Sequence, residues 1–143
     1  MPPAKPEILL VDDSPSDLDL IREALAEHLS DSHIHSVPDG EEAIAFLRRS
    51  GDYTSAARPD LIILDLNLPR KDGRVVLADF KSEPSLRSIP VVVFTTSQSR
   101  QDISRSYELG ANCFVAKPGS LGDFRKAVQS IRQFWLTIVC LPK

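Results

Sequence analysis

Leu61-Ile62-Ile63-Leu64-Asp65-Leu66-Asn67-Leu68-Pro69-Arg70-Lys71-Asp72-Gly73 opens as an apolar run, ends that run in a carboxylate and then breaks into a turn. Four large aliphatics in a row fit a strand buried on both faces. Asp65 then stands at the tip of that strand, facing a loop. The pattern recurs along the chain. Ile8-Leu9-Leu10-Val11 ends in Asp12-Asp13, Val91-Val92-Val93-Phe94 ends in Thr95-Thr96, and Cys113-Phe114-Val115-Ala116 ends in Lys117-Pro118. A shorter and weaker strand candidate runs from Ile34 to Val37.

Helical signals fill the intervals. Ser14-Pro15 reads as an N-cap followed by Pro at the first helical position, with Asp17 three residues after the cap, and Leu18, Ile21, Leu25 and Leu29 recur at helical spacing. Pro38-Asp39-Gly40 turns the chain into a second helix with Ala43, Ile44 and Leu47 on one face, and residues 50–58 read as a polar loop. Val76, Leu77 and Phe80 mark a third helix that stops before Pro84. Ser99 with Asp102, and Ser120 with Asp123, cap a fourth and a fifth.

Five β-α repeats with near-continuous apolar strands predict a doubly wound α/β domain, a parallel sheet with helices on both faces. Right-handed crossovers place every strand's C-terminal end on one edge, and the ligand crevice of such sheets lies there. Asp12, Asp13, Asp65, Thr95 and Lys117 all sit at such ends.

The bulk numbers set bounds around this frame. The chain has 143 residues, 42% hydrophobic and 26% charged, with a net charge of −3. That is the size and make-up of one globular domain with no basic surface for nucleic acid. No stretch is long enough to span a bilayer, and the Pro-rich start lacks a signal-peptide core, so a cytoplasmic domain is expected. Two cysteines, Cys113 and Cys140, make no disulfide framework in a chain this long. His28, His33 and His35 show no metal-ligand spacing with cysteine and read as solvated or structural.

The chemistry follows from the residue types. Asp12, Asp13 and Asp65 offer oxygen ligands for Mg²⁺, with Mn²⁺ or Ca²⁺ as substitutes, and a divalent cation relieves their mutual repulsion. A carboxylate such as Asp65 can act as a phosphoryl-accepting nucleophile. Lys117 can pair with a phosphoryl oxygen as a point charge, and the Thr95 hydroxyl can donate to another. Singly, each has a plainer reading: an Asp at a strand end caps or turns, Thr95 is a β-former, Phe114 is core and Asp72-Gly73 is a turn. Convergence on one edge favours the functional reading.

Taken together, Val11-Asp12-Asp13, Leu64-Asp65-Leu66-Asn67-Leu68-Pro69, Asp72-Gly73, Thr95 and Lys117-Pro118 resemble the receiver domain of two-component response regulators. The resemblance spans the chain from Ile8 to the last helix. It implies a five-stranded sheet of order 2-1-3-4-5 with five helices, the flavodoxin- and CheY-like arrangement. It implies phosphorylation of Asp65 by a phosphohistidine on a sensor histidine kinase, with Mg²⁺ held by Asp13, Asp65 and the backbone carbonyl of Asn67, and Asp12 acting mainly through metal-bound water. It also implies a cis Lys117-Pro118 bond and a switch in which Thr95 moves toward the phosphoryl group while Phe114 swings inward. Many receivers carry Tyr at the Phe114 position, so here switching would rest on packing alone.

Two stretches narrow the resemblance. The loop over residues 51–59 is longer than a minimal receiver needs, and the tail Phe134-Trp135-Leu136-Thr137-Ile138-Val139-Cys140-Leu141-Pro142 extends the last helix. Both are similar to the small regulators that serve cyanobacterial phytochrome kinases. The expected division is a lead-in over residues 1–7, a receiver over 8–133 and an apolar extension over 134–143. The extension is too densely apolar for a one-faced helix, and Phe134, Trp135 and Ile138 are the expected homodimer contacts. With the chain ending soon after the last helix, output is expected through protein contacts rather than an attached effector. Two other classes compete. An aspartyl-nucleophile phosphatase commonly places a second acid two residues after the nucleophile, where Asn67 stands. A receiver-like module that is never phosphorylated would not need the full Asp12-Asp13-Asp65-Thr95-Lys117 set. The expected protein is thus no enzyme, beyond catalysing its own phosphorylation and dephosphorylation.

Overall fold

A computed structural model describes residues 5–27, 29 and 33–142. Five parallel strands, β1 (Ile8–Val11), β2 (Ile34–Val37), β3 (Leu61–Leu64), β4 (Val91–Thr95) and β5 (Cys113–Ala116), form one sheet in the order β2-β1-β3-β4-β5. Five helices alternate with them: α1 (Pro15–Leu25), α2 (Gly40–Arg48), α3 (Gly73–Lys81), α4 (Arg100–Glu108) and α5 (Leu121–Gln133). The expected doubly wound fold and strand order are both observed.

Strand residues alternate between two cores. Leu9, Val11, Ile62, Leu64, Val91 and Val93 pack with α2 and α3. Ile8, Leu10, Leu61, Ile63, Val92 and Phe94 pack with α1 and α5. The three central strands are buried throughout. Aliphatic side chains on both faces make this sheet, each buried Leu or Ile contributing about 1.5–3 kcal/mol over exposure.

β5 departs from the expected buried strand. All four of its residues are only half-buried, because the strand order leaves it at the sheet edge. An apolar run does not reveal whether a neighbour strand covers it. The outward backbone N–H of Phe114 is instead satisfied by the Tyr107 hydroxyl of α4, at 3.1 Å.

Three helix starts follow the predicted caps: Ser14, Ser99 and Ser120 each accept a backbone N–H three residues on. Asp39, expected only as part of a turn, caps α2 in the same way. Asp72 caps α3 through the Arg74 N–H. Gly73 does more than turn the chain. A Cβ there would lie 2.3 Å from the Asp65 carbonyl oxygen and 2.7 Å from Leu66 Cα. Only glycine lets α3 start against the backbone that carries Asp65. Gly73→Ala is expected to lose about 1–3 kcal/mol of stability, read as a lower urea midpoint; an unchanged midpoint would refute the close-contact account.

Other expectations are revised. The loop before β3 is not simply polar: Gly51–Tyr53 forms a short 3₁₀ turn, and Tyr53 and Ala56 pack on the α2 side of the core, with the Tyr53 and Phe46 rings 5.3 Å apart. Beyond α5 the chain widens into a π turn, Phe134–Ile138. Trp135 and Leu136 pack against the α1/α5 core, while Phe134 and Ile138 stay exposed. The described residues contain no cis peptide bond, so Lys117-Pro118 is trans, the isomer X-Pro bonds favour by about 0.5–1 kcal/mol. His33 and His35 both meet the Glu7 carboxylate, at 3.2 and 2.7 Å, just ahead of β1 and at the opposite end of the sheet from Asp65; His28 lies outside the described residues.

Candidate functional site

Sheet ladders that run one residue past the strands position the site. The Asp12 N–H donates to the Val37 carbonyl, Asp65 N–H to Val11 and Lys117 N–H to Thr95, at 3.2, 2.9 and 2.7 Å. Each functional side chain therefore hangs from backbone fixed by its neighbour strand. Adjacent strands β1, β3, β4 and β5 bring Asp12, Asp13, Asp65, Thr95 and Lys117 to one edge.

The side chains meet closely. Lys117, with 4% of its side chain exposed, donates to Asp12 Oδ2 at 2.7 Å, Asp17 Oδ2 at 2.8 Å and Asp65 Oδ2 at 2.9 Å. The other Asp65 oxygen, Oδ1, accepts from the Thr95 hydroxyl at 2.7 Å and from the Asn67 N–H at 3.2 Å. Asp12 Oδ1 accepts the Ser14 N–H at 2.9 Å. Asp13 is exposed at the rim. Phe114 is half-buried, on the α2/α3 face of the sheet.

Charge state follows from these contacts. Burial alone would lower the Lys117 pKa, but its hydrogen bonds to Asp12, Asp17 and Asp65 outweigh burial and hold it above the ordinary lysine range. Burial pushes the Asp12 carboxyl up, against the opposing Lys117 and Ser14 hydrogen bonds, and the neighbouring Asp65 charge adds to the rise. The ammonium is thus secure, while the carboxylates crowd one another.

That crowding suits a hard divalent cation. One oxygen from each of Asp12, Asp13 and Asp65 lies within 4.8 Å of the others. The donor set is all carboxylate, the chemistry that Mg²⁺, Mn²⁺ and Ca²⁺ select. Four carboxylates, counting Asp17, face a single ammonium, so the cluster retains excess negative charge for a cation to neutralise.

Asp17 is the member sequence reasoning missed. Its place in the first turn of α1 was legible, but its contact with Lys117, 100 residues away, was not. A shallow cleft of about 270 Å³ opens beside this pair, between Leu20, Thr96, Pro118 and Leu121. A larger groove of about 610 Å³ lies between Arg22, His35, Phe46 and Tyr53 and opens near Glu7, away from the carboxylates.

Residues 8–129 match the response regulator receiver domain. The chain belongs to the response regulator receiver family. Among curated proteins it is 50% identical over 135 residues to the response regulator Rcp1 of Synechocystis sp., covering 94% of this chain and 92% of that one. The structure of the Mn²⁺-bound form of Rcp1 superposes with a TM-score of 0.93 at 48% identity, over 96% of this chain and 99% of that one. The phosphorylated cyanobacterial phytochrome response regulator RcpA gives 0.92, also at 48% identity, over 98% of this chain and 100% of that one. The bacteriophytochrome response regulator RtBRR gives 0.74 at 38% identity, over 97% of this chain and 85% of that one. This receiver is therefore a two-component signalling protein close to phytochrome-associated regulators, and divalent-metal binding fits both the Mn²⁺-bound relative and the acidic cluster. A histidine kinase is the partner class that a receiver implies. Among the described residues no helix is long and apolar enough to cross a membrane.

Proposed function

We propose that Asp65 takes a phosphoryl group from a phosphohistidine of a phytochrome-type sensor kinase. The observation that carries this reading is the split use of the Asp65 carboxylate, with Lys117 on Oδ2 and Thr95 on Oδ1. An Asp65 oxygen forms a bond to phosphorus as the phosphorus–imidazole nitrogen bond breaks, and its electron pair stays on the imidazole. Asp13, Asp65 and the Asn67 backbone carbonyl would hold Mg²⁺, with Asp12 acting mainly through metal-bound water, and the ion would supply charge neutralisation for the transferring group. Lys117 donates to a phosphoryl oxygen as a point charge, and Thr95 transfers its hydroxyl bond from Asp65 Oδ1 to another. Phe114, half-buried beside β4, follows Thr95 and fills the space it leaves. Mixing the chain with autophosphorylated phytochrome kinase tests the partner: transfer within seconds is expected, and no transfer would contradict it. In acetyl phosphate, a stable mass gain fits a receiver, sustained phosphate release a phosphatase, and no reaction an inert module.

Thr96 is exposed at the mouth of the cleft beside Lys117. Its β-branch restricts the approach of water to a phosphorylated Asp65. Thr96→Ala is expected to shorten the phosphoaspartate lifetime by about threefold or more, on the order of 0.7 kcal/mol of barrier; equal decay rates would remove Thr96 from the account.

Homodimerisation is part of the same proposal. Phe134 and Ile138 are 51% and 64% exposed, next to Trp135 and an apolar cleft of about 250 Å³ lined by Cys113, Val115 and α5. Covering this apolar face is favourable. Sedimentation is expected to show a dimer for the full chain and a monomer for a chain ended at Arg132. Monomers in both cases would contradict it.

A further inference from the structure

The three N–H donors of Lys117 meet three carboxylates, and these acceptors are not equivalent. Asp12 and Asp65 belong to the carboxylate group that fits a cation; Asp17 does not. Asp17 comes from α1, where its own N–H is tied to the Ser14 cap, so its backbone is set independently of the strand ends. Its side chain is 26% exposed against 4% for Lys117, which places it on the solvent side of the ammonium. Any cation drawn to Asp12 and Asp65 competes with Lys117 for those two carboxylates. A phosphoryl group on Asp65 then replaces that carboxylate's charge with its own more remote oxygens, so Lys117 has to be held where it can reach them.

We propose that Asp17 is a positioning residue, the standing counter-ion that holds Lys117 in place while Asp12 and Asp65 turn to a metal ion and a phosphoryl group. The proposal rests on the phosphoacceptor reading of Asp65 but makes its own prediction about metal affinity. Without Asp17, the ammonium keeps only acceptors that a cation also needs, and it competes with that cation directly.

The test is a Mg²⁺ titration of the full chain and its Asp17→Asn, Asp17→Glu and Asp19→Asn variants, followed by calorimetry and by the Lys117 side-chain NMR resonances. Asp19 is exposed on the same helix, and its substitution removes the same charge without the contact. Asp17→Asn is expected to weaken Mg²⁺ binding about fivefold and to shift the Lys117 signals in metal-free protein. Asp17→Glu and Asp19→Asn are expected to stay within about twofold of the parent, the scale of a screened surface charge. With acetyl phosphate, the Asp17→Asn defect is expected both in the Mg²⁺ concentration required and in the rate at saturating Mg²⁺, where Lys117 is left without its standing acceptor. Equal losses for Asp17→Asn and Asp19→Asn, unmoved Lys117 signals or no rescue by Asp17→Glu would each overturn the proposal. A parent chain that binds no Mg²⁺ would overturn the site reading itself, and the proposal with it.

Discussion

Asp65→Asn is expected to abolish phosphorylation: no mass gain after incubation with acetyl phosphate and Mg²⁺, under conditions where the parent chain is modified. The amide keeps an oxygen that can accept from the Thr95 hydroxyl and the Asn67 N–H, so the local fold has its acceptor. It lacks the anionic oxygen that attacks phosphorus. It also removes one of the three carboxylates that fit a cation, so Mg²⁺ affinity is expected to fall alongside. Mass spectrometry of intact protein checks the first point and calorimetry the second. Cooperative urea unfolding shows that the variant is folded. A modified Asp65→Asn protein would place the acceptor elsewhere.

Lys117→Ala is expected to have the largest effect on stability, with a size that depends on metal. Lys117 is the buried cation bonded to both Asp12 and Asp65. Removing it leaves two buried carboxylates facing one another, and breaking a buried pair in this way costs about 3–5 kcal/mol. A divalent cation can take over the neutralising role, so the variant is expected to bind Mg²⁺ more tightly than the parent. At a hundred times its dissociation constant, bound metal restores about 2.7 kcal/mol. Urea unfolding with and without Mg²⁺ reads both effects. A metal-free loss below about 1 kcal/mol, the value of an exposed pair, would show that Lys117 is not an internal counter-ion.

The pH dependence of that contribution follows from its direction. The folded pKa of Lys117 is raised, so its stabilisation is fully present below the unfolded lysine value and is lost as pH rises through the folded one. No loss from Lys117 is expected near neutrality.

Much of this architecture is legible in the amino-acid sequence, for a physical reason. Strands buried on both faces carry unbroken aliphatic runs, and a polar residue at the end of such a run has to face the sheet edge. Leu61–Leu64 followed by Asp65, and Ile8–Val11 followed by Asp12, show this directly. Caps such as Ser14 and Ser99 are equally plain, because the side chain and the N–H it accepts lie three residues apart.

What is not legible depends on distant contacts. Cys113–Ala116 has the composition of a central strand but lies at an edge, which only the strand order decides. Asp17 has the place of a helix-dipole residue, and its pairing with Lys117 requires α1 and the end of β5 to be neighbours. Gly73 has the place of a turn residue, yet the demand on it comes from the Asp65 carbonyl. Composition alone does not divide the apolar tail between Trp135, which packs on the domain, and Phe134 and Ile138, which do not.

The most direct test of the central claim is to find the phosphoryl group. The chain is incubated with acetyl phosphate and Mg²⁺, the acyl phosphate is trapped by borohydride reduction, and the peptides are sequenced by mass spectrometry. The reduced residue is expected to be Asp65 and no other aspartate. Label on Asp12, Asp13 or Asp17, or a chain left unmodified in the presence of Mg²⁺, would contradict it.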